Sequence, residues 1–410
     1  MTRVAAQADI TYQAIEGGIT APRGFRAAGV ACGIKASGNL DLSLLVSDSD
    51  ASAAGVFTTN LAKAAPVLLS RDHLTQSGGR GRAVVINSGC ANACTGADGR
   101  DHARVMAART AEAVKCDLTG VLVASTGVIG VKLPIEKVER GIVDAAAQLS
   151  PTSGAAAARA IMTTDPFPKE AAIEASAAGR TFRVGGMAKG SGMIEPLMAT
   201  MLGVVTTDAA VAPGLLQRAL KAAVDETFNA ITVDGECSTN DCVFALANGA
   251  SGVELTERDW PLLVGSLKAA CEPLAIGIVR GGEGATKLIT IRVSGAASDE
   301  DARRTARAIA NSPLVKTAVH GGDPNWGRLI AVAGRAGVEF ELSRAAVTIG
   351  SIVLFKDGAP HDEASSEAAR YLRNHEVSVA VDLGVGSASS TVWTCDLSAE
   401  YVRINADYRT

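Results

Sequence analysis

The sequence predicts an α/β protein, mixed α+β, because strand-like and helix-like runs alternate along all 410 residues. Two further observations set its character. Aromatics make up only 4% against 47% hydrophobic overall, so Val, Ile, Leu and Ala must build the core. Glycine, at 43 residues, implies many tight turns or places of close backbone approach. The length suits two or three domains at ~150 residues each. The order of elements is not the regular strand–helix–strand repeat of a dinucleotide fold.

Taken in order, Arg82–Ile86 and Gly120–Ala124 are short apolar runs followed by Asn, Ser or Gly, as buried strands are. Each precedes a helix-like segment, Asp101–Val114 and Pro134–Leu149. Ala171–Met187 alternates in part around Gly179-Arg180, which predicts a hairpin. Met198–Val205 is another apolar run, and Ala212–Glu226 reads as a strongly amphipathic helix. Strands are expected over Lys287–Val293 and Val347–Leu354, and helices over Glu300–Ala310 and Asp362–Arg373. Val377–Val402 reads as two or three closing strands. No repeat or low-complexity linker divides the chain. The best boundary candidates are Pro151–Gly154 and Gly295–Asp299.

Charge and cysteine usage narrow the function. Lys+Arg 39 against Asp+Glu 43 gives a net charge of -4, without the basic footprint of a nucleic-acid binder. A mean hydropathy of +0.20 prompts a search for membrane spans. The longest charge-free stretches, Ala83–Ala97 and Leu118–Val131, fall short of the ~18 residues a span needs. No membrane partner is expected. The N-terminal residues show no apolar signal-like region, so the expectation is a cytoplasmic protein. Eight cysteines are too dilute for a disulfide scaffold and read as reduced thiols. Cys90/Cys94 and Cys237/Cys242 lack zinc-site spacing, so no metal is expected.

Familiar catalytic motifs are missing. Gly281–Lys287 (GGEGATK) fails the phosphate-loop pattern, and Gly185–Gly192 lacks GxGxxG spacing. No GxSxG elbow or HExxH helix occurs. Of five histidines, only His320 in HGGDPNWGR sits among residues dense enough to suggest a site.

The informative stretch is Lys189–Gly203, KGSGMIEPLMATMLG. A lysine and several glycines lead through Pro196 to a first hydroxyl at Thr200, preceded by the small Ala199. Read plainly, Thr200 is a β-branched residue in a strand. Read chemically, a chain break between Ala199 and Thr200 would free an α-amine beside that hydroxyl. A neutral amine can act as base for its own side chain, which a threonine without a neighbouring histidine requires.

This segment resembles the cleavage-site signature of the ornithine acetyltransferase / N-acetylglutamate synthase family of arginine biosynthesis. The resemblance continues through GVFTTNLAKAAPV from Gly55, VVINSGCANACTG from Val84, ASTGVIG from Ala124 and TTDPFPKEA from Thr163. It extends over FNAITVDGECSTND from Phe228, SPLVKTAVHGGDPNWGR from Ser312 and the terminal EYVRINADYRT. The resemblance implies a two-domain layered αββα sandwich, a self-cleaved Thr-nucleophile architecture. It implies an α chain (1–199) and a β chain (200–410), assembled as an α2β2 heterotetramer.

Residue by residue, Thr200 matches the autocleavage residue and nucleophile, and Thr126 and Gly127 match the oxyanion-hole pair. Thr163, Lys189, Thr200, Glu283, Asn405 and Thr410 match substrate-contacting positions. Lys189 suits an α-carboxylate and Glu283 a side-chain ammonium. The reaction implied is acetyl transfer from N2-acetyl-L-ornithine to L-glutamate without metal or organic cofactor. Acetyl-CoA is a second donor only in bifunctional members. The competing reading is an autocleaving aminopeptidase or amidohydrolase with water as acceptor.

Overall fold

The computed structural model describes residues 10–195 and 201–407. Thr200, the Ala199-Thr200 bond and Thr410 lie outside the described residues.

The chain opens with β1 (Thr11–Ala14), β2 (Phe25–Val30) and the long β3 (Leu42–Phe57). There follow α1 (Ala65–Gln76), β4 (Arg80–Cys90), α2 (Gly96–Val114), β5 (Val121–Val128), α3 (Ile135–Ala147) and α4 (Gly154–Ala160). The predicted hairpin is β6 (Lys169–Ala177) and β7 (Arg180–Lys189). Its two-residue turn places Ala178 and Gly179 at φ 51° and 76°, matching the twist of the flanking strands. Beyond it come β8 (Leu202–Thr207), β9 (Ala210–Val211), α5 (Pro213–Glu226), β10 (Cys242–Ala247), β11 (Glu254–Leu255) and α6 (Trp260–Arg280).

Nine of these strands form one sheet, in the order β1-β6-β7-β8-β10-β3-β4-β5, with β2 also paired to β3. Side-chain alternation shows that this sheet is folded over on itself. Val84 and Ile86 of β4, Leu122 and Ala124 of β5, and Phe244 and Leu246 of β10 share one inner core. Their neighbours face outward in two separate cores. Val85, Val121 and Val123 pack with Met106 and Ala107 of α2 and Val138 and Ile142 of α3. Val243 and Ala245 pack with Leu216 and Leu220 of α5 and Leu263 and Leu267 of α6. The layers therefore run helix, sheet, sheet, helix, as the αββα expectation has it.

A smaller unit follows: β12 (Leu288–Ala296), α7 (Asp299–Ala310), α8 (Pro313–Gly321), α9 (Trp326–Gly334), β13 (Ala346–Ile349), β14 (Ile352–Lys356), β15 (Ala359–Pro360), α10 (Ser365–Tyr371), β16 (Glu376–Asp382) and β17 (Ala388–Cys395). Its six strands have their own core, with Ile289, Ile291, Val347, Val379 and Val392 packed against Ala306, Ile309 and Leu329. α11 (Ala399–Asp407) closes the described chain.

Several expectations need correcting. Val347–Leu354 is not one strand but the halves of β13 and β14, reversed at Gly350 in the left-handed region, φ 62°. Val377–Val402 holds two strands, and its last residues begin α11 instead. Neither boundary candidate divides the units: β6 rejoins the large sheet after 151–154, and 295–299 runs from the end of β12 into the start of α7. The change of sheet falls between α6 and β12. Glu257–Arg280 is long and apolar enough by length and composition to cross a membrane, although Lys268 and Glu272 keep it from being charge-free. In the fold α6 buries Leu262, Leu263, Leu267, Leu274, Ile278 and Val279 in the core.

Candidate active site

The site starts where two parallel strands end. β4 and β5 run side by side, with Ser88 opposite Thr126 and Gly89 opposite Gly127, and a register shift at Cys90. Carboxyl ends of parallel strands are where open α/β sheets leave room for a ligand. Gly127 has φ 125°, and a Cβ there would stand 2.4 Å from the Gly89 carbonyl carbon. Only glycine fits. Asn240 ties this end down, its Nδ2 donating to the carbonyls of Ala91 at 2.6 Å and Ser125 at 2.8 Å.

β7 delivers Lys189 to the same place. The side chain is buried, and its ammonium donates to Thr163 Oγ1 at 2.8 Å and Thr126 Oγ1 at 3.2 Å. Below it lies Asp165. Its carboxylate accepts from Lys169 Nζ at 2.6 Å, Gly190 N at 2.7 Å and Thr163 N at 3.0 Å. Burial pushes the Asp165 carboxyl up, but the charges of Lys189 and Lys169 with these hydrogen bonds outweigh it and hold it at about 2. Burial lowers Lys169, with Asp165 opposing.

The segment leading to the expected cleavage site is anchored almost residue by residue. Ser191 Oγ donates to Gly281 O at 2.6 Å. The Met193 and Ile194 amides donate to Asp234 at 2.6 and 2.8 Å, and Tyr401 OH donates to the same carboxylate at 3.2 Å. Burial, then Asp234, push the Tyr401 phenol up. Glu195 pairs with Arg307 at 2.8 Å and accepts from Asn311 Nδ2 at 2.9 Å. Past the undescribed residues, Met201 O accepts from Cys242 N at 3.3 Å.

Glu283 follows α6. Its amide donates to Ser191 O at 3.0 Å, and its carboxylate accepts from Asn405 Nδ2 of α11 at 2.9 Å. Gly192 leaves room for that carboxylate, since a Cβ there would meet Glu283 Oε2 at 2.3 Å. Thr126, Gly127, Thr163, Thr164, Lys189, Glu283 and Asn405 all line one cleft. Among its described lining residues Lys189 is the only cation, against the carboxylates of Asp234, Glu236 and Glu283. A zwitterion carrying both a carboxylate and an ammonium is the ligand this polarity fits.

From residue 26 to residue 410 the chain matches the ArgJ family. It belongs to that family. The arginine biosynthesis bifunctional protein ArgJ of Synechococcus is 50% identical over 411 residues, covering 97% of this chain and 99% of its own length. Its counterpart from Symbiobacterium thermophilum is 51% identical over 403 residues, with the same coverage. The solved ArgJ of Bacillus halodurans is 46% identical, with a TM-score of 0.49, over 50% of this chain and 98% of that one.

Of the ArgJ positions expected from sequence, the structure brings Thr126, Gly127, Thr163, Lys189, Glu283 and Asn405 together; Thr200 and Thr410 are not described. His320 is elsewhere. Its Nδ1 meets Asp396 at 2.6 Å, and Asp396 also takes Thr286 Oγ1 and the Thr286 and Lys287 amides. Burial pushes Asp396 up, yet these bonds bring it below the usual carboxylate range. HGGDPNWGR is a helix junction: Gly322 closes α8 and the Asn325 side chain caps α9. Sequence reasoning missed Asp165, Lys169, Asp234 and Tyr401. All four lie inside blocks quoted for the resemblance, TTDPFPKEA, FNAITVDGECSTND and EYVRINADYRT, with no local feature marking what their side chains do. Four of the eight cysteines, Cys90, Cys242, Cys271 and Cys395, are buried. Among the described residues no group of three His, Cys, Asp or Glu is placed to hold a metal ion.

Proposed function

We propose that this enzyme transfers the acetyl group of N2-acetyl-L-ornithine to L-glutamate through an acetyl ester on Thr200. The observation that carries the reading is one cleft holding the Thr126-Gly127 strand end, the Lys189 ammonium and the Glu283 carboxylate, reached by the anchored segment that leads to Thr200. The chain splits between Ala199 and Thr200 into residues 1–199 and 200–410, which assemble as α2β2.

The freed Thr200 amine takes the proton of its own hydroxyl as Oγ attacks the acetyl carbonyl. The tetrahedral oxyanion rests on Thr126 Oγ–H and Gly127 N–H, each donor contributing about 3–4 kcal/mol. The carbon–nitrogen bond breaks, and ornithine leaves with the proton held by the Thr200 amine. The glutamate α-amine then attacks the ester through an oxyanion in the same hole, releasing N-acetylglutamate and restoring Thr200. Glu283, held by Asn405, receives the ornithine ammonium. The reaction requires no metal or organic cofactor; acetyl-CoA enters only if the enzyme also synthesises N-acetylglutamate directly.

Incubating the split enzyme with acetylornithine alone should add one acetyl mass to the 200–410 chain at Thr200, and glutamate should remove it. Initial rates with both substrates varied should give parallel lines. Intersecting lines without a trapped acetyl chain would mean direct transfer, and the covalent role of Thr200 would fall. An assay with acetyl-CoA and glutamate, acetylornithine absent, separates mono- from bifunctional enzyme.

A further inference from the structure

We infer that Lys189 acts through Thr126: its ammonium fixes the Thr126 hydroxyl with its proton turned toward the developing oxyanion and strengthens it as a donor. Lys189 is thus a positioning residue for the transition state, apart from any hold on a substrate carboxylate. The inference rests on the reading of Thr126 as an oxyanion donor.

The argument begins with what an ammonium can do. It has three N–H donors and no lone pair. At 3.2 Å from Thr126 Oγ1 and 2.8 Å from Thr163 Oγ1, Lys189 makes both oxygens acceptors. Each hydroxyl must then send its own proton elsewhere. Among the described residues no acceptor takes the Thr126 proton, and Thr126 lines the cleft. The hydroxyl is therefore committed as an acceptor behind and free as a donor in front.

Burial makes the contact count. Lys189 is 4% exposed and Thr126 8%, so the charge is little screened, and hydrogen bonds in series polarise one another in such surroundings. A cation on the hydroxyl oxygen draws electron density from the O–H bond, and that matters most when the acceptor becomes an anion. The gain arises in the transition state. A carboxylate anchor would act in ground and transition states alike.

The ammonium is also held in place. Gly190 N, next along the chain, and Thr163 N, beside the second hydroxyl, both donate to Asp165. One carboxylate thereby fixes the backbone on either side of the Lys189–Thr163 contact, and Lys169 closes the arrangement from below. Two of the three Lys189 donors are spent on protein hydroxyls, which leaves one for a ligand.

The test uses split enzyme and two donors, acetylornithine and N-acetylputrescine, which has the same acetylated amine and terminal ammonium but no α-carboxylate. Acetyl-chain formation is followed by intact mass under single-turnover conditions. Lys189→Met should lower the limiting rate about 10–100-fold with both donors, and Thr126→Val by about 10²–10³-fold. In the Thr126→Val background, Lys189→Met should cost less than about threefold more, because residues acting as a unit are not additive. Lys189→Arg, which keeps a cationic donor, should retain more of the limiting rate than Met with both donors. The inference falls if Lys189→Met raises only the half-saturating acetylornithine concentration and leaves N-acetylputrescine untouched. It also falls if the two losses multiply. A Thr126→Val enzyme with the wild-type limiting rate would instead overturn the oxyanion reading beneath it.

Discussion

Replacing Asp165 by asparagine keeps its shape and removes its charge, so it isolates what the buried carboxylate does. Asp165 and Lys169 side chains are 0% and 2% exposed and 2.6 Å apart. Three donors converge on the carboxylate, from Lys169, Gly190 and Thr163. The single acceptor oxygen of asparagine cannot serve them all, and its amide would turn N–H groups toward donors. Breaking a buried pair by neutralising one partner typically costs about 3–5 kcal/mol, since the other charge is left uncompensated. Urea unfolding at pH 7, in the unsplit Thr200→Ala background where the chain can refold, should show a loss of that size. A second change, Lys169→Met, should recover much of it by removing the orphaned ammonium. The pH dependence has a definite sign. The Asp165 carboxyl is depressed from 3.8 to about 2, so its contribution is present above about 4 and lost as pH falls toward 2, amounting to about 2 kcal/mol. An Asp165→Asn enzyme within about 1 kcal/mol of wild type at pH 7 would refute the reasoning.

Thr200→Ala should leave one unsplit, inactive chain on a denaturing gel, whereas Thr200→Ser should retain some splitting. Amino-terminal sequencing of the wild-type second fragment should begin Thr-Met-Leu-Gly. Gly127→Ala would force a Cβ to within 2.4 Å of the Gly89 carbonyl carbon, so acetyl transfer should drop by more than about 10²-fold; near-normal kcat would remove Gly127 from the oxyanion hole. Gly192→Ala should displace the Glu283 carboxylate and raise KM for acetylornithine about tenfold with a smaller change in kcat. Asn405→Ala, leaving Glu283 without that donor, should move KM the same way, and unchanged KM in both would break the assignment of the ammonium to Glu283.

What could be read from the sequence followed from how directly each feature is local. β4 and β5 were legible because both faces are buried, so their apolar runs are continuous. The β6–β7 hairpin was marked by Gly179. β3 is not legible because exposed residues 48–50 interrupt its apolar pattern, where its register against β4 shifts. The first residues of α11 fall within the run that reads as closing strands, since none of its residues is buried and no helical apolar stripe forms. The site residues came from the resemblance. The bracing carboxylates did not: Asp165 takes two donors from its own block, Thr163 and Lys169, but the contact that ties it to the site comes from Gly190, 25 residues on, and Met193 is 41 from Asp234. Such convergence leaves no local trace.

The sheet order carries a consequence for any break at 199–200. β8 and β10 stand between β7 and β3, so strands from after the break are threaded between strands from before it. Each junction is a full six-residue ladder. The two pieces would be interleaved parts of one body, not subunits that meet. Residues 1–199 alone would leave β7 and β3 as bare edges, an invitation to aggregate. Scission would then have to come after folding and would be one-way: once unfolded, the pieces would have lost the covalent order that put β8 and β10 into the gap. Longevity of the cut protein would thus be set by how slowly it opens, since refolding from separated pieces requires a two-body insertion that the intact precursor never faced.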